Sequence, residues 1–231
     1  MRRRASGFLI AVVFTAAAVA GVVHARRARD AQDRAALEAE AAQAAAGAAQ
    51  VPQNAHAQYE SALVYSYLAE VAAELRELPA SRQAAEAGIA AAERAVALKP
   101  DSAEFHRLLG ALYGQAIAAN LAAALKYGRK SLEALDRAAA LDPKSSDVYL
   151  SRGVGKYYLP AALGGGPDAA LEELRRAIEL NPKSDQAYLW MGLALRKANR
   201  HAEARQALER AVALNPQRVW ARQQLEKTPG R

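Results

Sequence analysis

The side chains that most often do chemistry are few in this chain and stand apart. Its four histidines, His24, His56, His106 and His201, are dispersed, and none belongs to an HExxH pair or a carboxylate cluster that could hold zinc. No cysteine occurs, which excludes disulfides, thiolate zinc sites, a lipidated cysteine and a cysteine nucleophile. Neither a GxSxG nucleophile elbow nor a Walker phosphate loop is present. Gly164-Gly165-Gly166 suggests a phosphate cradle, because glycine amides at a helix N-terminus can bind anions. No Lys-Ser/Thr pair follows it, however, and Pro167-Asp168 reads as a helix start. A flexible inter-helix loop is the plainer expectation, with an anion or partner contact as the sharper one. Just before the loop, Tyr157-Tyr158-Leu159-Pro160 lengthens or bends a helix and sets two aromatics beside it. No catalytic residue, metal site or cofactor is expected, and the chain does not read as an enzyme.

The elements that would position these residues are helical. Apolar residues make up 52% of the chain, but aromatics only 6% and alanine dominates, which favours closely packed helices over sheets. The net charge of +7 is concentrated at the start: residues 1–29 hold six arginines and no acid, and the other 25 basic side chains face 24 acids. That distribution argues for membrane orientation rather than nucleic-acid binding. A local basic excess, nine against three over residues 192–231, leaves room for an acidic partner beside the blander reading of a solvated face.

Arg2-Arg3-Arg4 followed by the apolar run Phe8 to Val23 has the form of an export signal or a single-pass anchor over residues 1–25. Cleavage after Ala25 is one outcome. Arg26, Arg27 and Arg29 as a stop-transfer flank favour the other, an uncleaved inner-membrane anchor with the body in the periplasm. Residues 26–53 read as an Ala-rich helical linker, a semi-rigid stalk with nothing substantial to bury after Leu37, ending at Val51-Pro52-Gln53-Asn54.

The remainder repeats. Leu98-Lys99-Pro100, Leu141-Asp142-Pro143, Leu180-Asn181-Pro182 and Leu214-Asn215-Pro216 each close a helical segment, and the last two prolines are 34 residues apart. Between them stand Tyr188, Met191, Gly192 and Leu195, then Ala204, Leu208 and Ala211, at the spacing of the tetratricopeptide repeat. The preceding unit has Tyr149, Gly153, Ala170, Leu174 and Ala177, with an insertion at Leu163–Pro167. The one before has His106, Leu109, Gly110, Tyr113, Leu135 and Ala138. The chain thus resembles the tetratricopeptide-repeat (TPR) family, and the resemblance implies an all-α solenoid over residues 54–231. Its units are expected at about 54–102, 103–145, 146–184 and 185–218, with a capping helix at 219–228. His106, at the family's tryptophan position, is expected to pack.

In this family a partner lies in the concave groove lined by the first helices, at the second, fifth, ninth, twelfth and thirteenth positions of each repeat. Carried over, these are Glu104, Arg107, Ala111, Gly114 and Gln115; Asp147, Leu150, Val154, Tyr157 and Tyr158; and Gln186, Leu189, Leu193, Arg196 and Lys197. Arg107, Leu150, Tyr157, Tyr158, Leu189, Arg196 and Lys197 are the expected partner-binding residues, although any one of them can equally pack on a neighbouring helix. The carboxylate clamp of chaperone-binding members lacks its Lys and Asn here. The resemblance implies a scaffold of the cell envelope that holds a peptide or helix of an unidentified protein. A small-ligand module of a solute transporter is the alternative, and it would need a closed pocket near Tyr157, Tyr158 and Gly164–Gly166.

Overall fold

The computed structural model describes residues 21–230, and among them every regular element is helical. A helix over residues 21–30 (α1) precedes α2 (Arg34–Gln50). Four hairpins follow: α3 (Ala55–Glu74) with α4 (Leu78–Leu98), α5 (Ala103–Ala119) with α6 (Ala124–Leu141), α7 (Ser146–Tyr158) with α8 (Pro167–Leu180), and α9 (Asp185–Lys197) with α10 (His201–Leu214). The short α11 (Val219–Glu226) ends the array. Helices α3, α5, α7 and α9 touch in succession and form one wall.

Local chemistry sets the boundaries. Ser102, Ser145 and Ser184 each accept a hydrogen bond from a first-turn amide, of Phe105, Val148 and Ala187, and so start α5, α7 and α9. Each stands two residues after the proline that ends the preceding helix. The residue before each proline is driven out of the helical region, with ψ of 80°, 88°, 90° and 83° at Lys99, Asp142, Asn181 and Asn215. The extra length of the 103–145 unit lies mostly in its helices: α5 and α6 have 17 and 18 residues, against 13 and 14 in α9 and α10.

Glycines bring the two helices of a pair together. A Cβ on Gly153 would lie 2.7 Å from Leu174 Cγ, and one on Gly192 would lie 2.5 Å from Leu208 Cγ. Only hydrogen fits there. Leu174 and Leu208 are thereby fully buried, along with Ala170, Ala177, Ala204 and Ala211. Each leucine stabilises by roughly 1.5–3 kcal/mol relative to an exposed one.

The register runs one unit further than the hairpins. His106 Nε2 meets the Pro100 carbonyl at 2.9 Å and the Tyr149 hydroxyl donates to the Pro143 carbonyl at 3.2 Å, in both cases six residues back. Arg222 donates to the Pro216 carbonyl in the same way. Helix α11 is therefore in register with the first helices of the preceding units. His106 is only half-buried, and it fastens the turn before its helix.

The N-terminal expectations need correction. Among the described residues no helix is long and apolar enough to cross a membrane, so the single-pass, inner-membrane placement is withdrawn. Residues 1–20 of the expected anchor lie outside the described residues. Its described end packs on the solenoid instead: Ala25 and Ala28 are buried with Leu37, Ala41, Val64 and Val71. A cut after Ala25 would fall inside α1 at a fully buried side chain. Arg29, expected to flank a bilayer, is buried and its guanidinium lies 5.0 Å from the Tyr67 ring centroid. Nor is α2 a free stalk. Leu37, Ala41 and Ala48 face α3, and Gln58 donates to the Ala48 carbonyl at 3.1 Å. Small alanines suffice because the helices approach closely.

Candidate functional site

The first helices carry the residues expected to meet a partner, and the structure divides them. Leu189 is 1% exposed and packs with Leu208, Ala211 and Ala221 between α9, α10 and α11, so it is core and not groove. Its repeat position faces the next unit, and here α11 covers it. Arg107 donates from Nε to Glu104 at 2.6 Å and from a terminal nitrogen to Ser151 at 3.1 Å. Tyr59 closes that network with a 2.8 Å bond to Glu104. Burial works against the Glu104 charge, but the Arg107 guanidinium outweighs it and lowers its pKa. Arg196 is held by Gln224 at 2.7 Å and by Thr228 at 3.3 Å, which ties α9 to the end of α11. These arginines fasten units together and have little left to offer a partner.

Tyr157, Tyr158 and Lys197 do come together, joined by two tryptophans that repeat position did not identify. Tyr157 and Tyr158 meet edge to face at 5.0 Å, and both contact Trp190, at 5.6 and 5.9 Å. Trp190 in turn meets Trp220 at 5.6 Å. The row thus crosses from α7 through α9 to α11. Lys197 lies over the Tyr157 ring at 4.5 Å and donates to its carbonyl at 2.6 Å. Leu150 packs beneath the row, and Tyr158 remains 53% exposed at its surface. Edge-to-face contacts of this kind contribute about 0.5–1.5 kcal/mol each beyond burial and hold the rings in place.

The glycine loop beside the row is not slack. Gly166 N–H donates to the Lys156 carbonyl at 2.9 Å, Gly165 N–H to the Pro160 carbonyl at 3.1 Å, and the Lys156 ammonium to the Gly164 carbonyl at 3.0 Å. Gly164 and Gly166 have φ of 78° and 97°, a region glycine enters freely. The loop closes on Leu159 and its own backbone, which leaves no cradle for a phosphate. Helix α7 stops at Tyr158 because Leu159, before Pro160, takes an extended conformation.

The row ends at a buried ionic cluster. Arg218 stands just before α11, where α5, α7 and α9 have their capping serine, and it makes no cap. Its guanidinium, 5.6 Å from the Trp220 ring, reaches instead into the first hairpin. There it donates to Glu70 at 2.8 Å, to both carboxylate oxygens of Glu74, one of them at 3.2 Å, and to the Arg29 carbonyl at 3.0 Å. Asn215 donates to Asp30 at 3.1 Å and Gln223 to Gln32 at 3.0 Å. Arg29 pairs with Asp30 through a 3.0 Å bond from Nε. Burial opposes the Arg29 charge, but Glu70 and Asp30 overcome this and raise its pKa. Glu74 is pushed up to about 7, first by burial and then by Glu70; its contact with Arg218 acts in the opposite direction and is outweighed. Three carboxylates against two guanidiniums explain why one carboxyl is held well above the usual carboxylate range. Tyr158 faces the same cluster: burial raises its pKa first, followed by Tyr157, Glu70 and Glu74, to about 12.

Among the described residues no group of three or more His, Cys, Asp or Glu side chains is arranged to hold a metal ion.

An all-α array of paired helices, with glycine and alanine at the crossings and an inner wall of first helices, defines the class as a TPR-type solenoid. Residues 164–219, about a quarter of the chain, match the tetratricopeptide-repeat family model. No curated protein matches the sequence. Among solved structures it is similar to a thermophilic TPR protein of Thermus thermophilus, with 18% identity, 84% of this chain and 91% of that chain covered, and a TM-score of 0.60. That likeness establishes the fold alone. It is also similar to YrrB, a TPR protein with an unusual peptide-binding site, at 16% identity, 83% and 91% coverage and a TM-score of 0.45. A third is PilF of Pseudomonas aeruginosa, at 18% identity, 75% and 79% coverage and a TM-score of 0.45.

Proposed function

We propose that the chain is a protein-interaction module that takes an extended peptide or a helix of another protein across Tyr157, Tyr158, Trp190 and Trp220. TPR folds generally mediate protein–protein contacts, which supports an interaction module. The observation that supports the site is the aromatic row itself. Four large rings from three helices are fixed edge to face, and Tyr158 is half exposed among them. Rigid tyrosine and tryptophan anchors are the side chains that dominate binding energy in protein interfaces, since little conformational entropy is lost when they are covered. Lys197, over the Tyr157 ring, sets a cation at one end of the row.

The test is a peptide-display screen against the full chain, followed by affinity measurements on the selected peptides. Tyr158→Ala and Trp220→Ala are expected to weaken binding by at least about 10-fold each, as central aromatic anchors do. Selected peptides that bind both variants as well as the wild type would overturn the assignment.

A further inference from the structure

The cluster around Arg218 joins parts of the chain that the repeat architecture has no need to join. In a solenoid each unit touches its neighbours, and the first and last units are free ends. Here they meet. The bonds from Arg218 to Glu70 and Glu74 span 148 and 144 residues, that from Asn215 to Asp30 spans 185, and that from Gln223 to Gln32 spans 191. Three elements converge on one guanidinium: the end of α1, the inner helix α3, and the turn before α11. Arg218 is 1% exposed, and Trp220 lies against it as the last ring of the aromatic row.

We propose that Arg218, with Asp30, Glu70 and Glu74, is a latch that holds the two ends of the solenoid together beside its inner face, and that the aromatic row becomes fully open to a partner when the latch releases. The second half rests on the function proposed above; the first half stands on the contacts alone. Two features make the contact releasable and not simply part of the core. It is ionic, so separating its halves exposes groups that water solvates well, whereas parting an apolar interface loses burial with no such return. It is also imperfectly matched, since Arg218 Nε lies 3.9 Å from the nearest Asp30 oxygen. The cap position points the same way: serine closes the equivalent turn at residues 102, 145 and 184, whereas arginine stands at 218 and makes no cap.

The charge count points to proton release as the trigger. Around Glu74 stand Tyr67 and Glu70 from α3, Arg29 and Asp30 from α1, Gln32 from the following turn, Arg218 from the turn before α11 and Tyr158 from α7. The tyrosines stay neutral, because burial raises both. With Glu74 protonated, two carboxylates balance two guanidiniums. When it ionises, three carboxylates share two guanidiniums, a net negative charge is enclosed, and the latch weakens. Release is expected as pH rises through neutrality.

Because the chain has no cysteine, spin labels can be placed at Ala39→Cys on α2 and Glu226→Cys on α11 and the distance between them read by pulsed electron resonance. The doubly labelled chain is expected to give one narrow distance at pH 5 and an added, longer population at pH 8. Glu74→Gln, a neutral isostere of the protonated acid, should give the narrow distance at both values. Arg218→Gln should give the longer population at both, with circular dichroism confirming unchanged helix content. A narrow distance that does not change with pH, or a Glu74→Gln variant that opens like the wild type, overturns the latch, and this holds even where Arg218→Gln does not fold. None of these readings involves a partner, so a failed latch and a failed binding site are distinguishable.

Discussion

Arg218 and Glu74 are 144 residues apart in sequence and share a buried contact in which the guanidinium meets both carboxyl oxygens. Their side chains are 1% and 3% exposed. Removing Arg218 leaves the buried Asp30 and Glu70 carboxylates with one guanidinium fewer, which costs about 3–5 kcal/mol. Arg218→Gln is therefore expected to lower the midpoint of thermal unfolding markedly. Arg218→Lys should recover only part of the loss, because an ammonium cannot reproduce the fork that meets Glu70 and Glu74 together. Differential scanning calorimetry on the three proteins checks this, and a wild-type midpoint in Arg218→Gln contradicts it.

The same pair sets a pH dependence. The Glu74 pKa is raised in the folded chain to about 7 from an ordinary 4.5, so between those values the folded state holds a proton that the unfolded state has released. Its contribution is complete below about pH 4.5 and is lost as pH rises through about 7. A shift of that size corresponds to something on the order of 3 kcal/mol. Urea unfolding at a series of pH values should show stability falling across this window in the wild type. In Glu74→Gln the fall should be smaller by about that amount.

Packing at the helix crossings gives a third expectation. Gly192→Ala forces a methyl against Leu208 and Gly153→Ala does the same at Leu174, each costing about 1–3 kcal/mol by overpacking. Leu208→Ala alone should cost about 2–5 kcal/mol through the cavity it leaves. Combined with Gly192→Ala it should cost less than the sum of the two, because the new methyl enters space the leucine has vacated. Strict additivity in the double-mutant cycle would mean that the two residues do not share this contact.

The expected site residues separate in the same kind of experiment. Leu189→Ala is expected to destabilise the fold by about 2–5 kcal/mol, since the side chain is enclosed between α9, α10 and α11. Tyr158→Ala, at a half-exposed position, should change stability far less while weakening any partner bound to the row. The reverse pattern would return Leu189 to the groove.

How much of this was legible in the sequence depended on whether the signal was local. Proline followed by serine marks where α5, α7 and α9 begin, and Gly153, Gly192, Ala204 and Ala211 mark crossings, because each acts on neighbours a fixed distance along the chain. Arg218 could have been noticed as an arginine in the serine position of the same phrase, but nothing near it names Glu70 and Glu74. That pairing depends on the curvature of the whole array, as does the burial of Leu189. Trp190 and Trp220 were missed because position 190 is not among the family's usual groove positions and 220 lies in a helix read as a mere cap. The N-terminal misreading has a plainer cause. An alanine-rich helix beside arginines is compatible with a bilayer flank or with tight packing on α3, and Leu37 and Ala41 decide the matter only through contacts made in three dimensions.

The chain contains two tryptophans, and both lie in the aromatic row. Their indole N–H groups therefore give two separate nitrogen-15 NMR signals at the proposed binding face. Titrating a display-selected peptide into the labelled protein tests the central claim most directly. Both indole signals are expected to shift in proportion to occupancy, together with the amides of Tyr157 and Tyr158. A peptide that reaches saturation while both indoles stay unmoved would place binding elsewhere and contradict the claim.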